Sequence, residues 1–423
     1  MRNILKKVLL FTLCMACVAS FAGCDGTVSD YNGPWWTQIS GNASRTGSID
    51  NGDVDLPALN DLPALTWEAQ VVNEGFLVQS GFIYVENKIY FASDDGNVYC
   101  YKDGKKRARR LWTYQTDGSV LAGVIYDNNI IYVSGYDGCI YAISADKGEL
   151  IWFKDLSGSN DDSISETPVL TNDGLLIVGT DSGNVYAIST SAGSEGTIMW
   201  SYTITGNLGI STDITYYDGG VSGGMVFFGS DNTYYYALNA TTGKELWTFY
   251  TTTAYSETPT AYDDKVYFAT GETVLYCLDV VTGKVIWTFK CENELYITGP
   301  VAAQDGKIVF GSYDSNVYCL DADTGEKIWS YENGQDYVRS SPAISGNDVL
   351  VAISAADENN NLTYLYCLDF LTGEFKWVSK SASPIETPPV VVNGAVYYTN
   401  KQGKIIKLSG EGVEENTKND TKK

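Results

Sequence analysis

Eight tryptophans recur at nearly even intervals along this chain of 423 residues. The spacings between successive members are 45, 40, 48, 47, 40, 42 and 48 residues. Each of the last seven ends a similar phrase, of which residues 275–287 (LYCLDVVTGKVIW) give the plainest copy. A period of this length indicates one supersecondary unit copied many times, and each copy must stack on its neighbours to bury its faces. The eight are Trp67, Trp112, Trp152, Trp200, Trp247, Trp287, Trp329 and Trp377.

Each copy is predicted to contain four short strands. Within residues 298–331 these are 298–302, 307–312, 317–321 and 326–331. Short β-branched and aromatic runs bounded by Asp, Asn and Gly are typical of hairpins. Other runs, such as residues 225–228 (MVFF), are apolar without alternation, which favours sheets covered on both faces. Four strands in about 40–50 residues, stacked face to face, predict an all-β fold, a β-propeller of antiparallel blades.

The two ends of the repeat region set the predicted number of blades. A last partial copy after Trp377 has three strands, at about 386–390, 395–399 and 404–408, and lacks a tryptophan. The missing fourth strand is predicted at 64–69, around Trp67. Seven full blades and one blade shared between the two ends make an eight-bladed propeller, closed by an N-terminal strand that removes exposed edges. A seven-bladed ring with an additional end segment is the alternative.

The first residues are predicted to be a targeting segment. Arg2, Lys6 and Lys7 precede an apolar run and small residues, which is typical of a secretory signal. Residues 21–24 (FAGC) resemble the bacterial lipobox, and that resemblance implies that Cys24 becomes the lipid-modified N-terminus. An ordinary signal peptide with a chance cysteine is the alternative. We therefore expect a signal peptide at 1–23, a tether at 24–33, a lead-in at 34–63, the propeller at 64–409 and a disordered tail at 410–423.

Charge and cysteine content narrow the possible partners and chemistry. The formal net charge is −24, which argues against nucleic acid as a partner. Four cysteines follow a tyrosine in the predicted third strands, where other copies carry Ala, and we expect them to fill small core positions. They are Cys100, Cys277, Cys319 and Cys367. The sequence leaves the state of Cys139 and Cys291 open.

The repeat resembles the PQQ-like (pyrroloquinoline quinone-type) β-propeller repeat over about residues 64–409. Residues 34–47 (PWWTQISGNASRTG) are similar to the segment that often precedes the first blade of such proteins. One branch of the family, the quinoprotein dehydrogenases, binds the quinone and calcium, but its adjacent Cys-Cys pair is missing here. The other branch includes scaffold lipoproteins such as the propeller subunit of the outer-membrane β-barrel assembly machinery. A lipobox with a bare eight-bladed ring is similar to that second pattern.

The chain contains no histidine, which excludes Ser-His-Asp and Cys-His catalysis and His-ligated metals. An oxygen-ligated calcium site remains possible, although no motif supports calcium or the quinone. We expect no catalytic residues, no cofactor and no bound metal. The turns that begin at Asp94, Asp181 and Asp314 lack EF-hand spacing and are predicted to be hairpin turns.

The best candidates for a binding site precede the first strand of several blades, within Glu-Thr-Pro or related segments. Because the first strand is the innermost, these residues should surround one mouth of the channel and could bind a cation or polar ligand. Copied architecture with solvated carboxylates is the alternative. The candidates are Glu166, Asp213, Glu257, Arg339 and Glu386.

A second candidate surface is a basic hairpin in the first blade, residues 102–110 (KDGKKRARR). Its cations stand out from the acidic background and could contact anionic lipid headgroups or wall polymers. A solvated hairpin is the alternative. The contact residues would be Lys105, Lys106, Arg107, Arg109 and Arg110.

Three functions remain after these exclusions. The first is a non-catalytic interaction scaffold with unidentified envelope proteins as partners. Such a scaffold would be a monomeric ring anchored by lipid to the outer side of a bacterial membrane, at the cell surface or in the periplasm. The second is a ligand- or glycan-binding module at the channel mouth. The third, a quinone-dependent dehydrogenase, is the least supported by the motifs.

Overall fold

The protein is described here by a computed structural model. It describes residues 42, 63–73, 75–158, 162–206, 208–254, 257–271, 273–291, 295–334, 337–338, 340–354, 363–385 and 387–410. The predicted signal peptide and tether with Cys24, the lead-in apart from Asn42, and residues 411–423 lie outside this set. So do two candidate site residues, Arg339 and Glu386.

The described residues form eight antiparallel sheets, as predicted for an eight-bladed propeller. Strand β1 (Ala64–Gln70) belongs to the last blade. The first four blades contain β2 (Phe82–Val85), β3 (Lys88–Ala92), β4 (Asn97–Lys102) and β5 (Arg109–Gln115); β6 (Val124–Asp127), β7 (Ile130–Ser134), β8 (Cys139–Ser144) and β9 (Leu150–Asp155); β10 (Val169–Leu170), β11 (Leu175–Gly179), β12 (Asn184–Ser189) and β13 (Ile198–Thr203); and β14 (Thr215–Tyr217), β15 (Met225–Ser230), β16 (Tyr234–Asn239) and β17 (Glu245–Tyr250).

The remaining blades follow the same plan. They contain β18 (Thr260–Tyr262), β19 (Lys265–Ala269), β20 (Val274–Asp279) and β21 (Val285–Lys290); β22 (Ile297–Gln304), β23 (Lys307–Ser312), β24 (Asn316–Asp321) and β25 (Lys327–Glu332); β26 (Tyr337–Val338), β27 (Ala343–Ser345), β28 (Asp348–Ser354), β29 (Thr363–Asp369) and β30 (Phe375–Ser381); and β31 (Val390–Val392), β32 (Ala395–Asn400) and β33 (Lys404–Ser409). In blade 7 the innermost strand is divided into β26 and β27, which both pair with β28.

Ring closure occurs as the sequence predicts. Strand β1 pairs antiparallel with β33, and Trp67 lies opposite Lys407. The last blade therefore has the order β1, β33, β32, β31. Its innermost strand β31 contacts β2 of blade 1, so the N-terminal strand completes the ring from the other end of the chain. This arrangement pairs the edge of β33 that would otherwise be open.

Burial differs between strand positions in the way that stacked blades require. The second and third strands are almost wholly buried, as in β7 and β15, whereas the outermost strands such as β9 alternate between exposed and partly buried residues. The core clusters consequently join residues of neighbouring blades. The four third-strand cysteines are buried as predicted, Cys291 is also buried, and Cys139 is half-buried. No helix that could cross a membrane occurs in the described part of the chain.

The recurring tryptophans join each blade to the next. The Trp247 indole Nε1 donates to the carbonyl of Val280 at 2.9 Å, in the turn before the outermost strand of the following blade. In the same turn, Gly283 has a φ of +64° and lies so close to the Trp247 ring that an added Cβ would be 2.6 Å from it. Equivalent hydrogen bonds link Trp67 to Gly104, Trp112 to Ala145, Trp200 to Ala240, Trp287 to Ala322 and Trp329 to Phe370.

Candidate functional site

The segments before the innermost strands connect neighbouring blades through threonine hydroxyls. Thr167 Oγ1 of blade 3 accepts a hydrogen bond from the Gly123 amide of blade 2 at 2.9 Å. Thr258 Oγ1 of blade 5 accepts from the Asp213 amide of blade 4 at 3.2 Å. Further along the ring, Thr260 donates to the carbonyl of Val301 at 2.9 Å. The Thr of the repeated Glu-Thr-Pro segment therefore has a structural role, which explains much of its recurrence.

Two of the predicted carboxylates come together at blades 3 and 4. Asp213 Oδ1 accepts a hydrogen bond of 2.7 Å from the Thr167 amide, which places this carboxylate beside Glu166. Asp181 lies on the same side, where it accepts from the hydroxyls of Ser163 at 2.5 Å and Ser165 at 2.9 Å. The structure thus forms a cluster of acidic side chains where the sequence predicted a more even polar ring.

Glu166 has an unusual protonation equilibrium. Its side chain is partly exposed, but it is closely surrounded by protein. Burial, together with the negative charges of Asp213 and Asp181, raises the pKa of Glu166 to about 8. Desolvation and nearby like charges both disfavour the ionised form of a carboxyl group. At neutral pH the Glu166 carboxyl is therefore mostly protonated and can donate a hydrogen bond.

The other predicted mouth residues are not brought into this cluster by any described contact. Glu257 is half-buried, its amide donates to Ala269 at 3.2 Å, and its carbonyl accepts from the Tyr235 hydroxyl at 2.8 Å. Arg339 and Glu386 lie outside the described residues. Over the described ranges, no group of three or more Cys, Asp or Glu side chains could hold a metal ion.

Sequence reasoning missed two members of the acidic cluster. The sequence predicts only a hairpin turn at Asp181 and singles out no role for Asp231, yet both negative charges raise the pKa of Glu166. Asp231 comes directly after the second strand of its blade and Asp181 comes two residues after the end of its own, at the mouth where the innermost strands begin. A comparison of turn positions between copies could have found them, because blades 2 and 6 carry Tyr136 and Tyr313 there.

In each of the other two acidic turns, one carboxylate accepts hydrogen bonds from within the same hairpin. Asp95 accepts from the Tyr99 hydroxyl at 2.5 Å and from the Asn97 amide at 3.0 Å. Asp314 accepts from the Tyr318 hydroxyl at 2.6 Å in the same way. Gly96, with a φ of +78°, supplies the left-handed residue that such a turn requires. These contacts agree with hairpin turns rather than calcium loops.

The predicted basic hairpin lies between β4 and β5 of blade 1. Lys102 pairs in register with Arg109, and Tyr101 with Arg110. The side chains of Lys105, Lys106 and Arg107 at its tip are exposed. Among the described residues, none of the six cations of this hairpin forms an ion pair.

Comparison with known proteins gives the same fold. Residues 53–215 and 231–409 match the family described as outer membrane protein assembly factor BamB. A BamB of Burkholderia pseudomallei (strain K96243) is 25% identical over 252 residues, which cover 58% of this chain and 56% of that relative. The match thus spans little more than half the length of this curated relative.

Solved structures show the same architecture at low identity. The crystal structure of BamB from Moraxella catarrhalis has a TM-score of 0.63 and 19% identity, and the match covers 82% of this chain and 100% of that one. Quinohemoprotein alcohol dehydrogenase from Comamonas testosteroni has a TM-score of 0.69 and 13% identity, covering 89% of this chain and 80% of that one. At these identities the likeness shows the fold alone.

Proposed function

The chain belongs to the outer membrane protein assembly factor BamB family, and on that premise we propose that it is a non-catalytic scaffold that holds an envelope assembly protein against one rim of the propeller. The family match over both halves of the ring carries this proposal. The relative from Burkholderia is named as an outer membrane protein assembly factor, and a rigid ring that presents loops suits such a role.

The rim around the acidic cluster has the composition of a protein-binding surface. Large apolar side chains are exposed in its loops: Phe76, Tyr136, Leu208, Leu295 and Tyr296 are each at least 40% exposed. Exposed aromatic and aliphatic side chains beside polar groups are typical of protein interfaces. The rim therefore supports a protein partner with an apolar patch of its own.

The proposed location is the outer membrane, with the ring in the periplasm and Cys24 as the lipid-bearing residue. The lipobox-like segment supports this location, and so does the family. Replacing Cys24 with Ala in an outer-membrane host tests the anchor, since we expect the protein to move from the membrane fraction to the soluble fraction. An unchanged membrane fraction would count against lipidation at Cys24.

The scaffold role is tested by site-specific crosslinking in cells. A photoreactive amino acid at Tyr136, Leu208 or Tyr296 should crosslink to one defined outer-membrane assembly protein, identified by mass spectrometry. The matched controls are Val281 and Leu371, which are 45% and 57% exposed in turns at the opposite face. Equal crosslinking from both faces, or none from the rim, would contradict the proposal.

A ligand-binding role at the channel mouth is a second candidate, favoured by the acidic cluster around Glu166. A glycan that accepts a hydrogen bond from the protonated Glu166 carboxyl would stabilise the folded protein. A soluble oligosaccharide should then raise the melting temperature of the wild type more than that of Asp213→Asn. An identical response of the two proteins would remove this candidate.

Quinone-dependent dehydrogenation has support only from the shared fold, and inactivity after reconstitution with the quinone and calcium would exclude it.

A further inference from the structure

A pocket of about 310 Å³ lies at the seam where blade 8 meets blade 1, at the face opposite the acidic cluster. It is formed by the basic hairpin of blade 1 and by β32 and β33 of blade 8. Asp103, Lys105, Asn393 and Lys407 contribute polar groups to its lining, and the buried rings of Tyr84 and Tyr397 form its base. This volume is at the lower end of the range for small-molecule sites.

Asp103 is the unusual group in this pocket. Its Oδ2 accepts hydrogen bonds from the hydroxyls of Tyr84 at 3.0 Å and Tyr397 at 2.8 Å, and from Lys407 Nζ at 2.8 Å. Its Oδ1 is buried and has no hydrogen-bond partner among the described residues, although only 8% of the side chain is exposed. A buried carboxylate oxygen without a donor is costly, so a donor from outside the chain would be bound favourably.

Asp103 stands where another blade carries an apolar residue. Its amide donates to the Asn87 carbonyl at 2.8 Å, as the Val280 amide donates to the Asp264 carbonyl at 3.1 Å, so Asp103 is equivalent to Val280. Lys102, which pairs with Lys88, is in turn equivalent to Asp279, which pairs with Lys265. Blade 1 also replaces the following Thr-Gly turn with residues 104–108 (GKKRA). The carboxylate in the seam is therefore a feature of blade 1 that the equivalent position of blade 5 lacks.

The cations of the basic hairpin lie at the opening of this pocket. Lys105 is part of the lining, Lys106 and Arg107 follow it at the exposed tip, and none of the three has an ion-pair partner among the described residues. The hairpin tip is also held in place, because the Gly104 carbonyl accepts from Trp67 Nε1 at 3.0 Å. Unpaired cations on a fixed backbone beside a buried acceptor favour a ligand that combines an anion with a hydrogen-bond donor.

We propose that this pocket binds the headgroup of an anionic phospholipid that bears free hydroxyls. In this site the phosphate contacts Lys105 and Lys106, and a headgroup hydroxyl donates a hydrogen bond to Asp103 Oδ1. Phosphatidylglycerol has this chemistry. The site would give the ring a second contact with the membrane, independent of a lipid on Cys24 and of the protein partner at the opposite rim.

The test is a calorimetric titration of the full chain with short-chain lipids below their micelle concentration, at low salt. Dihexanoyl phosphatidylglycerol should bind, whereas dihexanoyl phosphatidylcholine should not. Lys105→Gln with Lys106→Gln should weaken binding about tenfold or more, since each cation near an anionic lipid contributes appreciably to affinity. The matched control Lys244→Gln with Lys284→Gln removes two exposed lysines from equivalent hairpins of other blades and should change nothing.

Two further titrations distinguish lipid binding in the pocket from attraction to a charged surface and from binding of a soluble ligand. Phosphatidylmethanol has the same charge without a free hydroxyl, and it should bind at least fivefold more weakly than phosphatidylglycerol if Asp103 receives a hydroxyl. Equal binding of the two lipids, or equal effects of the two lysine pairs, would overturn the proposal. Glycerol 3-phosphate that binds as tightly as the lipid would also overturn it and would indicate a soluble ligand.

Discussion

Trp112 and Trp152 occupy the same place in consecutive blades, but their indole groups differ in hydrogen bonding. Trp112 Nε1 donates to the Ala145 carbonyl at 2.9 Å. Trp152 Nε1 is buried without a partner among the described residues. Their aromatic contacts are otherwise matched, with Tyr90 at 6.0 Å from Trp112 and Tyr132 at 5.9 Å from Trp152. The turn that faces Trp152 is longer, which accounts for the missing acceptor.

This pair allows the hydrogen bond to be separated from packing. Trp112→Phe should lower the free energy of unfolding by about 1 kcal/mol more than Trp152→Phe, because only the first change removes a hydrogen bond. Both changes remove similar ring area, so the loss of packing should largely cancel. Urea unfolding monitored by circular dichroism measures the difference. Equal losses in the two variants would show that the indole bond contributes nothing.

The raised pKa of Glu166 predicts that the stability of the folded protein depends on pH. The folded-state pKa of about 8 lies above that of an unfolded glutamate, near 4.3, so the folded state holds a proton that the unfolded state releases between these values. The stability contributed by that proton is complete below about pH 4.3 and is lost as the pH rises through about 8. Glu166→Gln should therefore raise the melting temperature at pH 9 by roughly 2 °C or more, with little effect at pH 4.

The comparison with wild type at each pH removes contributions from other titrating groups. Glu149→Gln is the control, since Glu149 is exposed on the outermost strand region of blade 2. A melting-temperature difference between Glu166→Gln and wild type that does not change from pH 4 to pH 9 would show that Glu166 titrates normally.

At the scale of the element, the turn before each outermost strand is built around the tryptophan of the preceding blade. Gly283 and Gly306 have similar left-handed conformations, with φ of +64° and +70°. An added Cβ at Gly283 would be 2.6 Å from the Trp247 ring, whereas at Gly306 nothing lies within 4 Å. The glycine of the Thr-Gly motif is therefore required by packing between blades as well as by backbone conformation.

Substitution of these two glycines tests that statement. Gly306→Ala should cost about 1 kcal/mol for backbone strain alone, and Gly283→Ala should cost about 1–3 kcal/mol more because the turn must move away from Trp247. Chemical denaturation with tryptophan fluorescence reports both the stability and the environment of the ring. Losses of the same size would mean that the turn moves without cost.

The strands and their order could be predicted from the sequence because the copies between Trp67 and Lys404 repeat one pattern of short strands and turns. The acidic cluster could not be predicted in full. Asp181 lies in the turn after β11 and Glu166 in the segment before β10, and they come close only when the blade folds. The seam pocket was also missed, because Asp103 and Lys407 are separated by 304 residues and meet only when the ring closes. Repetition predicts the elements, whereas the differences between copies determine the sites.

At the scale of the whole molecule, two ion pairs of β33 connect it to other parts of the closed ring. Lys407 Nζ contacts Asp103 of blade 1 at 2.8 Å, and the two side chains are 14% and 8% exposed. Lys404 Nζ contacts Glu68 of β1 at 2.8 Å, but these side chains are 26% and 50% exposed. The first pair is a buried network that includes Tyr84 and Tyr397, whereas the second is a surface contact.

Substitution of each of the two lysines of β33 therefore tests how strongly the buried pair holds the ring closed. Lys407→Met leaves the Asp103 charge buried without its cation and should lower the free energy of unfolding by about 3 kcal/mol. Lys404→Met breaks an exposed pair and should cost less than about 1 kcal/mol. Since ring closure depends on the seam, Lys407→Met should also speed hydrogen exchange in β1 and β33 ahead of the other blades. Uniform acceleration in all blades would instead indicate that the ring opens only on global unfolding.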